Sequence, residues 1–277
     1  MKIGIVGLGL IGGSMARSIK THTKHTVLGI DLKESEMKKA ELVGAIDGRL
    51  TDEEIPSCDV LIIALFPAQI VNYVKTHAHL FGEGTRVFDC GGVKKMVCEP
   101  LREITKDAAW HFMGGHPMAG REFSGFSYSK DDLFENASMI LTPDTDCPIE
   151  ERQWAKDFFL SVGFLRVRFT TPEHHDEIIG YTSQMAHVVS SAYVKTPMAL
   201  KHKGFSAGSF QDMTRVARLN EDMWTELFLD NREPLIHEVQ GMIDRMIEYR
   251  DALVDGDEVK LKKLLREGRE MKEMLDE

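Results

Sequence analysis

His116 is the residue of this sequence best suited to exchange a proton with a small molecule. It lies in the stretch HFMGGHPMAG, between two glycines and Pro117. Glycines leave the backbone uncovered and proline stiffens it, so we expect the imidazole to be accessible. A neutral imidazole accepts a proton near pH 7, which predicts a general base. The alternative is a histidine that only holds a loop together through hydrogen bonds.

A second set of residues is typical of dinucleotide binding. Gly7, Gly9 and Gly12 form G-x-G-x-x-G between a predicted strand and a predicted helix, a spacing that allows a tight turn, approach to a pyrophosphate and close helix packing. Asp31 follows about 20 residues on, where a carboxylate binds ribose hydroxyls and favours NAD over NADP, although Lys33 lies nearby. A structural glycine turn without a ligand is the alternative. The predicted cofactor-binding residues are Gly7, Leu8, Gly9, Leu10, Ile11, Gly12, Asp31, Leu65, Pro67, Gly91 and Gly92.

The C-terminal half offers further polar candidates. Ser183 and His187 are four residues apart in TSQMAHVVS, which places them on one face of a predicted helix. Arg215 lies in GSFQDMTRVARLNEDMW, and an arginine in such an apolar setting binds a carboxylate or phosphate bidentately. Pairing of Arg215 with Asp212 or Asp222 explains the same pattern without a ligand. The spacing alone does not decide between these two interpretations.

Alternating strand and helix patterns must position these residues. Up to residue 171 they predict an α/β fold, a doubly wound Rossmann domain over 1–171, in which DVLIIAL is a strand buried on both faces. From 172 to 277 nearly every segment is helical, so we expect an all-α second domain. Pro100 is expected to interrupt a helix, and the neighbours His174 and His175 are expected to be structural.

Composition excludes several classes of protein. The formal net charge of −10 disfavours sequence-independent binding of nucleic acid, and an anionic substrate would need a locally basic pocket. The four cysteines form no CxxC pair, which indicates reduced thiols in the cytoplasm. We expect no signal peptide, because glycines break the first apolar run and it leads directly into a fold motif, and no apolar run approaches the roughly 20 residues of a membrane span. The histidines of HTKH lack a third ligand, so no metal site is expected.

The sequence resembles the prephenate dehydrogenases over nearly the whole chain. The resemblance lies in five motifs that occur in the order seen in that family: GLGLIGG, GGHPMAG, TPEHHD, TSQMAH and GSFQDMTRVA…MW. The resemblance implies a Rossmann domain followed by a helical domain for dimerisation and substrate binding, assembled as a homodimer. It also implies NAD-dependent oxidative decarboxylation of prephenate to 4-hydroxyphenylpyruvate in tyrosine biosynthesis. From the length we expect neither the fused mutase nor the regulatory domain of many relatives, and we expect any tyrosine inhibition to act through the active site or a partner.

Residue roles follow from the same resemblance. His116 matches the catalytic histidine that contacts the ring 4-hydroxyl, and Arg215 matches the arginine that binds a substrate carboxylate. Gln184 stands where many relatives have histidine, Gly92 where they have serine, and Arg121 where a small hydroxyl residue is common. We expect Arg121 to add positive charge near the pocket. The predicted substrate-binding residues are Arg215, His187, Ser183, Gln184, Trp224 and Arg121.

Three alternatives stay open. The first is the same chemistry on arogenate, whose ammonium group would favour an acidic residue in the side-chain pocket. The second is a dehydrogenase of the β-hydroxyacid or imine-reductase type, which needs a lysine base, but Lys195 and Lys201 lie outside such a motif. The third is a non-catalytic NAD-binding regulator. Gly92 favours this alternative because many relatives have serine there, whereas the presence of both His116 and Arg215 argues against it.

Overall fold

An eight-stranded sheet forms the N-terminal half of the molecule in the computed structural model, which describes residues 1–120 and 123–276. The strand order is β3-β2-β1-β4-β5-β6-β7-β8, and the described pairs are parallel except β6 with β7. The strands are β1 (Lys2–Val6), β2 (Thr26–Ile30), β3 (Gly48–Arg49), β4 (Val60–Ile63), β5 (Arg86–Asp89), β6 (His111–Pro117), β7 (Ser138–Thr142) and β8 (Arg166–Phe169). This topology confirms the predicted doubly wound α/β fold.

Helices cover the sheet and then form the C-terminal half. Those of the first half are α1 (Leu10–His22), α2 (Glu34–Leu42), α3 (Pro67–His77), α4 (Lys95–Thr105) and α5 (Ile149–Ser161). After β8 follow α6 (Pro172–Ile179), a π-helical segment (Gly180–Met185), α7 (Ala186–Val194), α8 (Gly208–Thr214), α9 (Glu221–Asp230), α10 (Arg232–Val254) and α11 (Glu258–Asp276). None of the helices in the described ranges combines the length and apolar character needed to cross a membrane.

The central strand β4 shows why the sheet is buried on both faces. Its four residues Val60–Ile63 are all fully buried, as the continuous apolar run predicted. Ile62 packs in the apolar cluster on one side of the sheet, whereas Leu61 and Ile63 pack in the cluster on the other side. Burial of both faces leaves the strand ends and their loops as the accessible part of the sheet.

The helix α4 corrects one prediction. Pro100 lies inside it, yet the helix runs without interruption from Lys95 to Thr105. Proline removes a single backbone donor there, whereas Val97 and Leu101 bury an apolar face of the helix against the sheet. Burial of that face therefore outweighs the local preference of proline, and α4 keeps a fixed N-terminus close to the end of β5.

Candidate active site

The turn between β1 and α1 has the geometry that dinucleotide binding requires. Gly7 has a φ of +88° and donates its N–H to the Ile30 carbonyl over 2.8 Å. A Cβ at Gly12 would stand 1.8 Å from the Gly7 carbonyl oxygen, so only glycine fits there. A Cβ at Gly9 would meet no described atom within 4 Å beyond its chain neighbours. The first and third glycines close the turn, and the second faces open space of the kind a pyrophosphate fills.

Asp31 is held at the end of β2 beside this turn. Its Oδ2 accepts the Leu8 N–H over 2.8 Å, and its Oδ1 accepts the Lys33 N–H over 2.8 Å. A carboxylate has about four lone-pair positions, so each oxygen keeps capacity for a further donor such as a ribose hydroxyl. The helix α1 begins immediately after Gly9, whose lack of a side chain leaves the first N–H groups uncapped. The residues present therefore fit an adenine dinucleotide.

The remaining predicted cofactor-binding residues lie on the same edge of the sheet. Strands β1, β4 and β5 are adjacent and parallel, so the loops after them meet there. A Leu65 methyl group lies 2.9 Å from where a Cβ of Gly7 would be, and Pro67 begins α3. Gly91 and Gly92 follow β5 directly. The structure thus brings together the set that the sequence analysis assembled from three separate loops.

Beneath this edge lies a charged pair that the sequence analysis missed. Asp89 and Lys94 are both fully buried and form an ion pair. The Lys94 ammonium also donates to the Gly115 carbonyl over 2.5 Å, and Asp89 Oδ1 accepts the Gly115 N–H over 2.9 Å. Asp89 Oδ2 accepts the Gly91 N–H over 2.8 Å. One ion pair therefore fixes both backbone groups of Gly115, the residue before His116.

His116 occupies the end of β6 and is linked to the helical half. Its Nδ1 lies 2.9 Å from Nε2 of His175, whose Nδ1 lies 2.7 Å from Oδ1 of Asp176. Asp176 in turn accepts the backbone N–H groups of Lys94 over 2.8 Å and Lys95 over 2.9 Å. Burial lowers the pKa of His116 well below its ordinary value, and the nearby His175 and Lys94 act in the same direction. The imidazole is therefore neutral near pH 7, as a base requires.

The expectation that His175 is only structural is incomplete, because its ring is the hydrogen-bond partner of His116. The two residues are 59 positions apart, and no local pattern connects them. The neighbouring His174 is exposed, and its Nδ1 lies 3.5 Å from Oε2 of Glu177 on the same helix. In the sequence, the run His174-His175-Asp176 near the start of the helical part was the one feature that could have indicated a role for His175 at the site.

Three predicted substrate residues lie together in the helical half. The His187 Nδ1 is 2.9 Å from the Val216 carbonyl, and its ring centroid is 3.7 Å from that of Trp224. Burial lowers the pKa of His187, and the positive charge of Arg215 lowers it further. Because a positive charge lies close to His187, a ligand carboxylate beside these rings would meet a favourable field.

Gln184 does not face open space. Its side chain is buried, its Nε2 donates to the Leu227 carbonyl over 2.9 Å, and its Oε1 accepts from Asn231 over 2.8 Å. The same Asn231 amide donates to the Asp176 carbonyl over 2.8 Å. These bonds join the π-helical segment to α6, to α9 and to the junction between α9 and α10, and they argue against the predicted direct contact of Gln184 with substrate. Ser183, the preceding residue, is half-buried in the π-helical segment, and Arg121 lies outside the described residues.

The helix α9 closes one side of the site. A Cβ at Gly92 would stand 3.2 Å from a Leu227 methyl group, and Glu226 accepts the Ala68 N–H over 3.2 Å. The loops after β4 and β5 therefore touch the helical half directly. At Gly92 the sequence lacks the expected serine hydroxyl, and the hydrogen-bond partner of His116 is His175 instead.

The dinucleotide turn and the neutral imidazole lie at one edge of the sheet, and α9, which carries Trp224, contacts the loops of that edge through Glu226 and Leu227. Proton removal coupled to hydride transfer from an anionic substrate is the chemistry that such a set supports.

Comparison with known proteins agrees with this geometry. The family model described as prephenate dehydrogenase, nucleotide-binding domain, matches residues 15–166. The model described as prephenate dehydrogenase, dimerization domain, matches residues 171–267. The prephenate dehydrogenase of Bacillus subtilis is 30% identical over 255 residues, covering 89% of this chain and 68% of the relative. That of Lactococcus lactis is 28% identical over 285 residues, covering 99% of this chain and 77% of the relative.

A solved structure shows the same similarity in three dimensions. The prephenate dehydrogenase of A. aeolicus, in complex with hydroxyphenyl propionate and NAD+, superposes with a TM-score of 0.88 at 29% sequence identity. The alignment covers 100% of this chain and 98% of that one. Fold, site and similarity agree, and the chain belongs to the prephenate dehydrogenase family.

Proposed function

We propose that this protein catalyses the NAD-dependent oxidative decarboxylation of prephenate to 4-hydroxyphenylpyruvate, a step of tyrosine biosynthesis. The observation that carries the proposal is His116, a neutral imidazole fixed at the sheet edge where the dinucleotide turn opens. Its Nε2 has no hydrogen-bond partner among the described residues. A nitrogen in that state can accept the proton of a substrate hydroxyl.

Asp31 supports NAD as the cofactor. Its carboxylate lies at the end of β2 beside Leu8, so a 2′-phosphate in that position would meet a negative charge. Lys33, two residues on, is the residue that would favour NADP instead. The nicotinamide, when bound, supplies the acceptor for the hydride that leaves the substrate.

In the proposed mechanism His116 takes the proton of the ring hydroxyl as the hydride leaves the same carbon. The carbon–oxygen bond thereby gains double-bond character. Loss of the ring carboxylate as CO2 then moves the electron pair of the broken bond through the ring to the oxygen, which takes the proton back from His116. The ring becomes aromatic, so the reaction is effectively irreversible. The fixed backbone of Gly115 keeps the imidazole in place throughout this step, because Asp89 and Lys94 hold both of its polar groups.

The substrate side chain is assigned to the helical half. We place a carboxylate of prephenate against Arg215, with His187 and Trp224 beside it and Ser183 within the same segment. Gln184 positions this region through its bonds to Leu227 and Asn231 and does not itself bind substrate. Arg121 remains the hypothesis for additional positive charge. An Arg121→Ala variant with an unchanged substrate KM at low salt would contradict that role.

The second candidate is arogenate, which carries an ammonium group where prephenate has a keto group. The specific observation in its favour is the acidity of α9. Burial raises the pKa of Asp230, and the negative charges of Glu226 and Asp176 raise it further. On the same helix Glu226 contacts the loop after β4 through the Ala68 N–H, and an ammonium group bound beside it would be stabilised by its negative charge.

A homodimer is part of the proposal. The helical half exposes large apolar side chains, among them Leu200, Phe205, Ile236, Met246, Leu253 and Val254. Extended exposure of this kind is typical of a protein–protein interface. The matching family model is described as a dimerization domain. Light scattering coupled to size exclusion should give twice the 31.3 kDa of the chain, and a monomeric mass would contradict the dimer.

The direct test follows nicotinamide absorbance with prephenate and with arogenate, each in the presence of NAD or NADP. Turnover of prephenate with NAD is the expected result. Preference for arogenate would keep the mechanism and change the substrate. Dinucleotide binding without turnover of either compound would contradict the proposal and favour the non-catalytic regulator or another hydroxyacid. The four free cysteines agree with a cytoplasmic site for this reaction.

A further inference from the structure

We propose that His175 and Asp176 are positioning residues that decide which nitrogen of His116 carries the proton. They hold His116 in the tautomer protonated at Nδ1, so that Nε2 is the basic atom. The kinetic part of this inference rests on the proposed function, whereas the tautomer is a property of the protein without substrate.

The first step concerns Asp176, which is buried. The backbone N–H groups of Lys94 and Lys95 are donors and cannot accept, so both carboxyl oxygens of Asp176 must act as acceptors towards them. The helix α4 begins at Lys95, and a negative charge at the start of an 11-residue helix is favourable. Asp176 is therefore an acceptor at Oδ1 and at Oδ2.

The second step concerns His175, which is also buried. Its Nδ1 lies 2.7 Å from Oδ1 of Asp176, and because that oxygen accepts, Nδ1 must carry the hydrogen. Burial lowers the pKa of His175, although the neighbouring Asp176 opposes the shift. The ring is therefore neutral, with a single hydrogen on Nδ1 and a lone pair on Nε2.

The third step concerns His116. The Nε2 lone pair of His175 lies 2.9 Å from Nδ1 of His116, so Nδ1 of His116 is the donor. A neutral imidazole has only one N–H, and Nε2 of His116 consequently keeps its lone pair. When Nε2 takes a proton, the ring becomes a cation that still donates from Nδ1 to His175, and the Asp176 carboxylate lies behind that acceptor. The hydrogen-bond chain thus prepares the base and stabilises its charged form.

Other titratable groups face the same site and must be considered in any pH measurement. Among the described residues they are Asp89 at the end of β5, Lys94 before α4, and His175 with Asp176 on α6. Asp89 and Lys94 are paired with each other, so neither is available as the partner of Nδ1. His175 is the group that contacts His116 directly.

The first experiment measures the tautomer in protein labelled with 15N-histidine, without substrate. Two-bond 1H–15N correlations distinguish a protonated Nδ1 from a protonated Nε2, and comparison with His116→Asn assigns the signal among the 11 histidines. We expect His116 to be neutral at pH 7 with its hydrogen on Nδ1. A signal showing the hydrogen on Nε2 would overturn the inference, whether or not any substrate is turned over.

The second experiment removes the acceptor. In His175→Leu we expect both tautomers of His116 to appear and kcat to fall about 10-fold or more, short of the about 10²- to 10⁴-fold loss for removing the base itself. NAD affinity and substrate KM should change less than about 3-fold. His175→Gln, whose amide oxygen can still accept from Nδ1, should recover part of the loss.

The matched control is His174→Leu, since His174 is the exposed neighbour on the same helix and should leave both the tautomer and kcat unchanged. Full activity with an unchanged tautomer in His175→Leu would refute the inference. If His175→Leu fails to fold, the tautomer of the unmodified protein still decides the question.

Discussion

Replacing Lys94 by methionine is the perturbation whose size the structure defines best. The Lys94 ammonium is fully buried, pairs with Asp89 and donates to the Gly115 carbonyl over 2.5 Å. Methionine has a similar length but no charge and no donor, so Asp89 would remain as a buried carboxylate without its counter-charge. Breaking a buried ion pair by removing one partner costs about 3–5 kcal/mol. We therefore expect Lys94→Met to lower the free energy of unfolding by that amount.

The assay is thermal and urea unfolding of the purified protein. For domains of about 150–250 residues, 1 kcal/mol corresponds to about 2–4 °C in Tm, so the expected decrease is about 6–20 °C. Activity should fall as well, because the released Gly115 carbonyl no longer fixes the backbone before His116. Since both effects have one origin, a variant with lost activity and unchanged stability would contradict this explanation.

The neighbouring lysine provides a matched control. Lys95 is exposed, and its ammonium lies 3.9 Å from Glu99, so Lys95→Met should change the stability by less than about 1 kcal/mol. The double variant Asp89→Asn/Lys94→Met should lose less stability than the sum of the losses in the two single variants, because each group stabilises the other. A Lys94→Met protein within about 1 kcal/mol of the unmodified protein would refute the reasoning.

Two further predictions concern the glycine turn and the buried histidines. Gly9→Ala should fold normally but bind NAD more weakly, which titration calorimetry with NAD measures. Gly12→Ala should lose stability, because its Cβ would stand 1.8 Å from the Gly7 carbonyl oxygen, and unfolding curves measure that loss. Burial lowers the pKa of His116 and His175 in the folded state, so the unfolded chain binds more protons below its ordinary histidine pKa of about 6.5. The free energy of unfolding should therefore fall between pH 7 and pH 5, by at most about 1.4 kcal/mol per pH unit for each ring, and a flat profile in urea titrations would contradict this.

Sequence reasoning succeeded where the determining interactions are local. The three glycines and Asp31 are recognisable because a tight turn next to a strand end imposes their spacing. The strand β4 is recognisable because burial on both faces demands an unbroken apolar run. His116 stands out because glycine and proline are unusual neighbours for a histidine at the end of a strand, which is where β6 places it.

It failed where the interacting residues are far apart in the sequence, or where a residue is buried against the average preference of its type. The contact of His116 with His175 bridges 59 residues and two domains. A fully buried lysine is rare, so no general rule assigns Lys94 to the interior; only its pairing with Asp89 explains it. Gln184 has the polarity of a binding residue, but the acceptor and donor that satisfy it lie on α9 and at Asn231. Each of these assignments needs the packed structure.

The most direct test of the central claim compares His116→Asn with the unmodified protein in the reaction with prephenate and NAD. We predict that kcat/KM falls by about 10²- to 10⁴-fold, while NAD affinity and Tm stay close to those of the unmodified protein. Such a result would show that His116 acts in the chemical step and not in cofactor binding or folding. Turnover by His116→Asn within about 10-fold of the unmodified protein would contradict the role of His116 as the base.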